Sequence, residues 1–337
     1  MEAEQIRDGV KYMQQGDKAS TKGFFRKPDW DLAASYYDKA ATSFKIAHSY
    51  DQAVQAYYKS SEALSKADAI HLAGKALESA AFLLAQNLNQ PQRAAEAYQR
   101  ASDYFMTQGS IDRAAEQLDK AGRVLEAIDV NASFNVYSKA CTLYEQEDRG
   151  RFAVEIFKRA ISLLIRNRKY DRAVEMLKRQ SVILQKFTSR THLYKANLSI
   201  LILIFAIGDD VEAGKQFNTM CSEEAEIAEQ LLKAYDERDQ SLLEKTVRLQ
   251  HVTFLDNEVV KLARMLTVPG ETLSSAAKKG SATYNSNAQA NSASTGADST
   301  APYGSQHSAT GNGNISSFDK LNINNNGYDD EDEEDLR

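Results

Sequence analysis

Basic side chains recur at a fixed spacing in the first half of this sequence. Eight similar segments, each about 20 residues long, carry at their seventh position Lys39, Lys59, Ser79, Arg100, Lys120, Lys139, Arg159 and Arg179. Seven of these eight residues are basic and none is acidic. We call this series the basic ladder. It favours electrostatic binding of an acidic protein partner, although Lys and Arg are also common on solvent-exposed helix faces that bind nothing.

Nucleic acid and catalysis fit the sequence less well. The ladder lacks interleaved exposed aromatic residues and any known nucleic-acid motif. No HExxH zinc spacing and no GxxxxGK[ST] phosphate-binding loop occurs. Cys141 and Cys221 share no CxxC spacing and are predicted to be buried, reduced thiols. We therefore predict a binding protein that is not an enzyme, with no catalytic residue, metal or cofactor of its own.

A repeated pattern of small and large residues supplies the helices that position the ladder. In the first segment the pattern is Ala33, Tyr37, Ala40 and Phe44, and its starting residue returns after 19 to 21 residues in each later segment. At about 100° per residue, positions 0, 4, 7 and 11 lie within about 60° of one another on a helix. The pattern thus predicts one apolar stripe per helix, and a single helix cannot bury such a stripe alone.

The predicted fold class is all-α. We expect a tetratricopeptide-like, right-handed helical solenoid over residues 1–186, with an aromatic loop at 21–28. A C-terminal helical bundle is predicted over 187–269, including a buried apolar helix at 193–207. A disordered, Ser- and Asn-rich tail is predicted over 270–337, because it has too few large apolar residues to offset the entropy of ordering. Helix N-caps are predicted at Asp31, Asp51, Asp112, Asn131 and Asp171, and helix ends at Gly109 and Gly150.

The two ends of the chain carry features that the repeat does not explain. Phe24 and Phe25 lie in the first loop beside Lys22, Arg26 and Lys27. This arrangement fits insertion into an anionic membrane surface, and it equally fits local packing of the first helices. The net charge of −6 is concentrated at the other end, in an acidic run that precedes Leu336. That run resembles a short docking motif, in which charge steers the segment and the leucine anchors it.

Several segments together resemble the soluble N-ethylmaleimide-sensitive factor attachment proteins (SNAPs), in particular the gamma type. These segments are Lys27–Tyr36 (KPDWDLAASY), Leu231–Asp236 (LLKAYD), Leu255–Asn257 (LDN) and Leu266–Gly270 (LTVPG), together with the acidic end in Asp-Leu-Arg. The resemblance covers residues 1–270 and the last nine residues. The long Ser/Asn tail departs from the compact ending of the alpha type.

The resemblance implies an adaptor that coats the SNARE four-helix bundle of syntaxin-type proteins and recruits the hexameric ATPase N-ethylmaleimide-sensitive factor to pull it apart. By this resemblance Phe24 and Phe25 match the membrane-contact loop. The residues that bind the SNARE bundle are expected among Lys120, Lys139, Arg159 and Arg179, with the alternative left open that helix pairing puts alternate ones on opposite faces. The residues that bind and stimulate the ATPase are expected to be Asp332, Glu333, Glu334, Asp335 and Leu336.

A protein of this kind is expected to be cytoplasmic, peripherally associated with membranes and monomeric when free. Two other classes remain open at this point. One is a generic tetratricopeptide-like scaffold or cochaperone that binds acidic peptides, and the other is a structural subunit of an enzyme complex.

Overall fold

The computed structural model describes residues 1–22, 27–187, 189–220 and 222–270, with only the backbone of 222–224, and this part is built of helices. In chain order the α-helices are α1 (Glu2–Ser20), α2 (Trp30–Ile46), α3 (Tyr50–Lys66), α4 (Ile70–Gln86), α5 (Pro91–Thr107), α6 (Ile111–Leu125), α7 (Val130–Gln146), α8 (Val154–Arg166), α9 (Tyr170–Lys186), α10 (Arg190–Ile207), α11 (Asp210–Phe217), α12 (Ser222–Asp236), α13 (Gln240–Thr246), α14 (Gln250–Thr253) and α15 (Asn257–Ala263). A short 3-10 helix, Gly150–Ala153, precedes α8.

Helices α1 to α10 form a regular array in which each helix packs along the next one. Three residues join α2 to α3 and α3 to α4, so consecutive helices run antiparallel. The turns that follow α1, α3, α5, α7 and α9 therefore lie along one edge of the array, which we call the first edge. The turns that follow α2, α4, α6 and α8 lie along the second edge. Side-chain contacts agree with this arrangement, because Lys186 at the end of α9 reaches Asp148 in the turn after α7 at 3.2 Å.

The predicted apolar stripe is confirmed as the core of the array. In α4, for example, Ala73, Leu77, Ala80 and Leu84 are all fully buried. The structure adds a second buried position, eight residues after each start, which the pattern of the stripe did not include. It is small in most repeats and is occupied by Ala41, Ser61, Ala81, Ser102, Gly122, Cys141, Ile161 and Ser181. Each helix touches the helix before it and the helix after it, so its buried surface is wider than one stripe.

All five predicted N-caps lie two residues after the residue that occupies the N-cap. The N-caps of α2 and α7 are Asp29 and Asp129, whose carboxylates accept hydrogen bonds from the free backbone amides of the first turn. The predicted cap residues lie inside the first turns, where acids still interact favourably with the helix dipole; they are Asp31, Asp51, Asp112, Asn131 and Asp171. Gly109 follows α5 with a positive φ, as predicted, whereas Gly150 begins the 3-10 helix rather than ending α7.

The apolar helix predicted at 193–207 is α10, and its residues Leu198 to Phe205 are buried. It contacts α9, α11, α12 and α15, and the ring of Phe205 stacks on Tyr235 of α12 at a centroid distance of 4.0 Å. Among the described residues, α10 is the one helix long and apolar enough to cross a membrane by length and composition, and half of that stretch is buried. Its packing is that of a core helix.

Glycines in the array admit aromatic rings from the neighbouring helix. A Cβ placed on Gly122 of α6 would lie 2.5 Å from the ring of Tyr137 in α7, and one on Gly16 of α1 would lie 2.5 Å from Tyr37 in α2. Tyr137 is fully buried, and its hydroxyl donates a 2.6 Å hydrogen bond to Glu126. A shift of the ring would break this buried hydrogen bond.

We therefore predict that Gly122→Ala lowers the free energy of unfolding by about 1–3 kcal/mol, because a methyl group forces the Tyr137 ring out of its position. Urea unfolding followed by circular dichroism measures the change. The matched control is Gly214→Ala in α11, where nothing lies within 4 Å of the added Cβ. That variant should be stabilised by up to about 1 kcal/mol through helix propensity. Equal stability of both variants would contradict the packing described here.

Candidate functional site

Five members of the basic ladder are ion-paired to acids of the helix two earlier in the chain. The distances are 2.6 Å for Lys59–Asp17, 2.6 Å for Lys120–Glu78, 3.3 Å for Lys139–Asp103, 2.6 Å for Arg159–Asp119 and 2.7 Å for Arg179–Glu145. The partners lie 34 to 42 residues apart. The ladder is therefore not a row of uncompensated charges, and it ties parallel helices of one layer together.

The same ion pairs divide the ladder between two layers. Lys120 of α6 and Arg159 of α8 lie with the even-numbered helices, whereas Lys139 of α7 and Arg179 of α9 lie with the odd-numbered ones. Helices two apart are parallel neighbours in one layer, and adjacent helices belong to different layers. The four residues predicted to bind SNAREs are thus brought together in pairs and do not form a single surface. We call the two surfaces the even-helix face and the odd-helix face.

Lys120 and Glu78 form a half-buried pair on the even-helix face. Glu78 also accepts a 3.0 Å hydrogen bond from Gln117, and Lys120 also pairs with Glu116 at 2.7 Å. Burial acts to raise the pKa of Glu78, but the hydrogen bonds from Lys120 and Gln117 outweigh it and hold the pKa below its ordinary value. Burial acts to lower the pKa of Lys120, and the two carboxylates outweigh it and raise the pKa. Both groups stay charged at neutral pH.

Arg159 binds a carboxylate that is almost completely buried. Asp119 of α6 is 4% exposed, and it accepts hydrogen bonds from Arg159 and from Arg123, the latter at 3.0 Å through Nε. A buried carboxylate is costly without such partners, and removing one of them leaves a charge uncompensated. Arg159 therefore stabilises the fold by compensating the charge of Asp119, in addition to any role in binding a partner.

Arg179 is similarly engaged on the odd-helix face. Its guanidinium binds Glu145 and donates to the hydroxyls of Ser138 and Thr142 at 2.9 and 3.1 Å. It also lies over the ring of Phe157, 5.6 Å from the centroid. These contacts fix the side chain and leave one third of it exposed.

A recess on the even-helix face combines cations with an exposed aromatic ring. Its volume is about 370 Å³, and it is lined by Lys45 of α2, by Lys75, Glu78 and Phe82 of α4, and by Tyr57. Phe82 is 53% exposed. Among the described residues neither lysine has a carboxylate partner. Glu78 joins the recess to Lys120, so the face is continuous from α2 to α6.

The sequence pattern missed this recess. Lys45, Lys75 and Phe82 occupy different positions within their repeats, so no periodic signal marks them. The one available signal was Phe82, a large apolar residue that lies off the apolar stripe. The odd-helix face offers a comparison in α5, where Arg93 and Arg100 have no carboxylate partner among the described residues. Arg100 instead lies over the ring of Tyr58 at 5.6 Å.

The remaining predicted site residues lie outside the described part of the chain. They are Phe24, Phe25, Asp332, Glu333, Glu334, Asp335 and Leu336. Cys141 is buried, as predicted, and burial raises the pKa of its thiol, while Cys221 also lies outside the described residues. In the part of the chain that the structure describes, no three His, Cys, Asp or Glu side chains are grouped to hold a metal ion.

One known family matches both the array and most of the C-terminal helices. Residues 7–257 match the family described as soluble NSF attachment protein, SNAP. A gamma-soluble NSF attachment protein of Dictyostelium discoideum is 32% identical over 79% of this chain and 84% of its own length. One of Arabidopsis thaliana is 30% identical over 77% of this chain and 91% of its own length. An alpha-soluble NSF attachment protein of Vitis vinifera is 22% identical over 52% of this chain and 60% of its own length.

The pair of Glu78 and Lys120 predicts a loss of stability in acid. A carboxyl group whose folded pKa lies below its unfolded value, 4.5 for Glu78, stabilises the fold above that pH. This contribution is lost as the pH falls through the folded pKa. The difference in unfolding free energy between the native protein and Glu78→Gln should therefore shrink as the pH falls below 4.5.

Urea titrations at several pH values measure this difference. The matched control is Glu147→Gln, because Glu147 is exposed and has no ion pair among the described residues. It should show little difference from the native protein at any pH. A Glu78→Gln difference that does not change with pH would contradict the ion pair.

Proposed function

We propose, because the chain belongs to the soluble NSF attachment protein (SNAP) family, that it binds assembled SNARE complexes and recruits N-ethylmaleimide-sensitive factor to disassemble them. Members of this family are adaptors, so ATP hydrolysis is assigned to the partner. The observation that carries the proposal is the family match over residues 7–257, which spans the array and most of the C-terminal helices. The gamma-type relatives, at 30–32% identity, support the same role in intracellular protein transport.

The SNARE-binding residues are proposed to be Lys120, Lys139, Arg159 and Arg179. We favour the even-helix face as the main contact, because there Lys120 and Arg159 continue into the recess with Lys45, Lys75 and Phe82. A SNARE bundle is acidic and amphipathic, so it would meet cations and an apolar anchor on the same surface. Lys120 and Arg159 would then contact the partner while they keep their ion pairs with Glu78 and Asp119.

The two chain ends are proposed to make the other contacts. Phe24 and Phe25 would insert into the membrane that carries the SNAREs, which gives a cytoplasmic protein a peripheral membrane association. Asp332, Glu333, Glu334, Asp335 and Leu336 would bind the hexameric ATPase. Vesicle fusion steps such as transport between the endoplasmic reticulum and the Golgi are the expected setting. A free monomer is expected, because the partners supply the assembly.

Deletion of residues 329–337 tests the ATPase contact. We expect ATP-driven SNARE disassembly to fall by about tenfold or more, which corresponds to roughly 1.4 kcal/mol of lost binding. SNARE binding without the ATPase should be unchanged. The matched control deletes residues 286–294, an uncharged segment of the same length in the tail. Undiminished disassembly after the first deletion would show that the acidic end does not dock the ATPase, as would be the case for a generic peptide-binding scaffold.

Charge reversal tests the choice of face. Lys120 and Arg159 are poor targets, since their loss would leave Glu78 and Asp119 uncompensated. We therefore choose cations without a carboxylate partner among the described residues. Lys45→Glu with Lys75→Glu should weaken SNARE binding by about tenfold or more, since two cations contribute up to about 1 kcal/mol each.

Arg93→Glu with Arg100→Glu makes the same change of charge on the odd-helix face and should weaken SNARE binding clearly less than the even-face pair does. Fluorescence anisotropy with a labelled, soluble SNARE bundle measures both affinities. Thermal unfolding verifies that both variants are folded. If the odd-face pair weakens binding more, the main contact is assigned to Lys139 and Arg179 instead. If neither pair has an effect, electrostatic binding of SNAREs by the array is contradicted.

A further inference from the structure

An aromatic residue is exposed at the tip of the turn between α7 and α8. Phe152 lies in the 3-10 helix Gly150–Ala153 and is 46% exposed. The guanidinium groups of Arg149 and Arg151 lie over its ring, at 4.9 and 4.7 Å from the centroid. The ring of Tyr144 lies behind it at 6.2 Å. None of the contacts assigned above to SNAREs or to the ATPase uses this tip.

The next turn along the first edge adds a second exposed aromatic residue. Phe187 follows α9 and is 39% exposed, and Val182 on the last turns of α9 is 57% exposed. The turn between α7 and α8 packs against the end of α9, since a Cβ on Gly150 would lie 2.7 Å from Ile183. Lys186, the last residue of α9, binds Asp148 in the turn between α7 and α8. We call Phe152, Phe187, Val182, Arg149, Arg151 and Lys186 the tip cluster.

Among the described residues, two of the three cations in the tip cluster are ion-paired, and the third is not. Arg149 is paired with Asp112 at 2.8 Å and Lys186 with Asp148 at 3.2 Å. Arg151 has no carboxylate partner in the part of the chain that the structure describes. Arg190 begins α10 at the same edge and is exposed. The positive charges of Arg151 and Arg190 together exceed the negative charge of the exposed Glu147. The cluster therefore presents aromatic and aliphatic side chains with an uncompensated cation beside them.

We propose that the tip cluster is a contact site for an anionic lipid surface. Aromatic side chains at an interface insert at the headgroup level, while neighbouring cations meet the acidic headgroups. Turn tips at an edge suit a flat surface better than they suit a peptide. The cluster uses none of the residues assigned above to SNAREs or to the ATPase.

Flotation of the full chain with vesicles tests the site without any protein partner. The vesicles contain phosphatidylcholine alone or phosphatidylcholine mixed with phosphatidylserine. Phe152→Ser with Phe187→Ser should lower the binding to mixed vesicles by about tenfold, because both apolar anchors are lost. Arg151→Gln should lower it by about fivefold, the effect of one cation near an anionic membrane, and should not change binding to phosphatidylcholine alone.

The matched control is Phe82→Ser, which removes an aromatic ring of similar exposure from the middle of a helix face. It should bind vesicles like the native protein. A second readout places an indole at the tip, and Phe152→Trp should then be quenched by brominated phosphatidylcholine more than the native protein, whose one tryptophan is Trp30. Circular dichroism and thermal unfolding establish that each variant is folded.

Four results would overturn the proposal. The native protein could fail to float with anionic vesicles, or the double tip variant could bind them unchanged. Phe82→Ser could reduce the binding as much as the tip variant does. Finally, the tip variant could keep its vesicle binding and lose affinity for the detergent-solubilised SNARE bundle, which would identify the cluster as a protein-binding surface. Phe24→Ser with Phe25→Ser is measured in parallel to distinguish the two sites. The tip variant keeps Phe24 and Phe25, so any loss of vesicle binding that it shows is due to Phe152 and Phe187.

Discussion

The structure depends on the burial of an apolar stripe that no single helix can bury. Each repeat helix hides small residues where a neighbouring backbone approaches, and large residues where rings interlock. Gly122 and Tyr137 show how tight this fit is, because the added Cβ would lie 2.5 Å from the ring. A helix in the array buries its apolar residues fully only when both neighbouring helices are present. The array is therefore a continuous, close-packed support, and its surfaces keep fixed positions relative to one another.

Ion pairs between helices two apart add further contacts to the array. Exposed pairs of this kind each contribute little, about 0–1 kcal/mol. Their geometric effect is larger, because they hold long side chains in one place and bring acids next to the basic ladder. Asp119 is the strongest case, since it is buried and requires both Arg159 and Arg123. A partner that binds this face meets an already organised set of charges, in which the cations without acids, such as Lys45 and Lys75, have the greatest freedom to respond.

The proposed contacts are distributed over distinct parts of this support. Helix faces offer charge and the Phe82 recess to an acidic, amphipathic partner. The first edge offers the tip cluster to a surface, and the chain ends carry the aromatic pair and the acidic run. A close-packed array suits an adaptor in this respect, because it holds the even-helix face and the tip cluster at different places on the described part of the chain.

The sequence by itself determined the helices, their length and their buried stripe, including Ala73, Leu77, Ala80 and Leu84, because periodicity is a property of one helix and is visible along the chain. It also indicated the family through short segments such as LLKAYD. It could not reveal the carboxylate partners of Lys120 and Arg159, which lie about 40 residues away. It left open whether the ladder divides between two faces, and it could not reveal the recess at Phe82 or the packing of the turn at Phe152 against the end of α9. These features depend on the register of helices two apart, and that register is set only when the whole array packs.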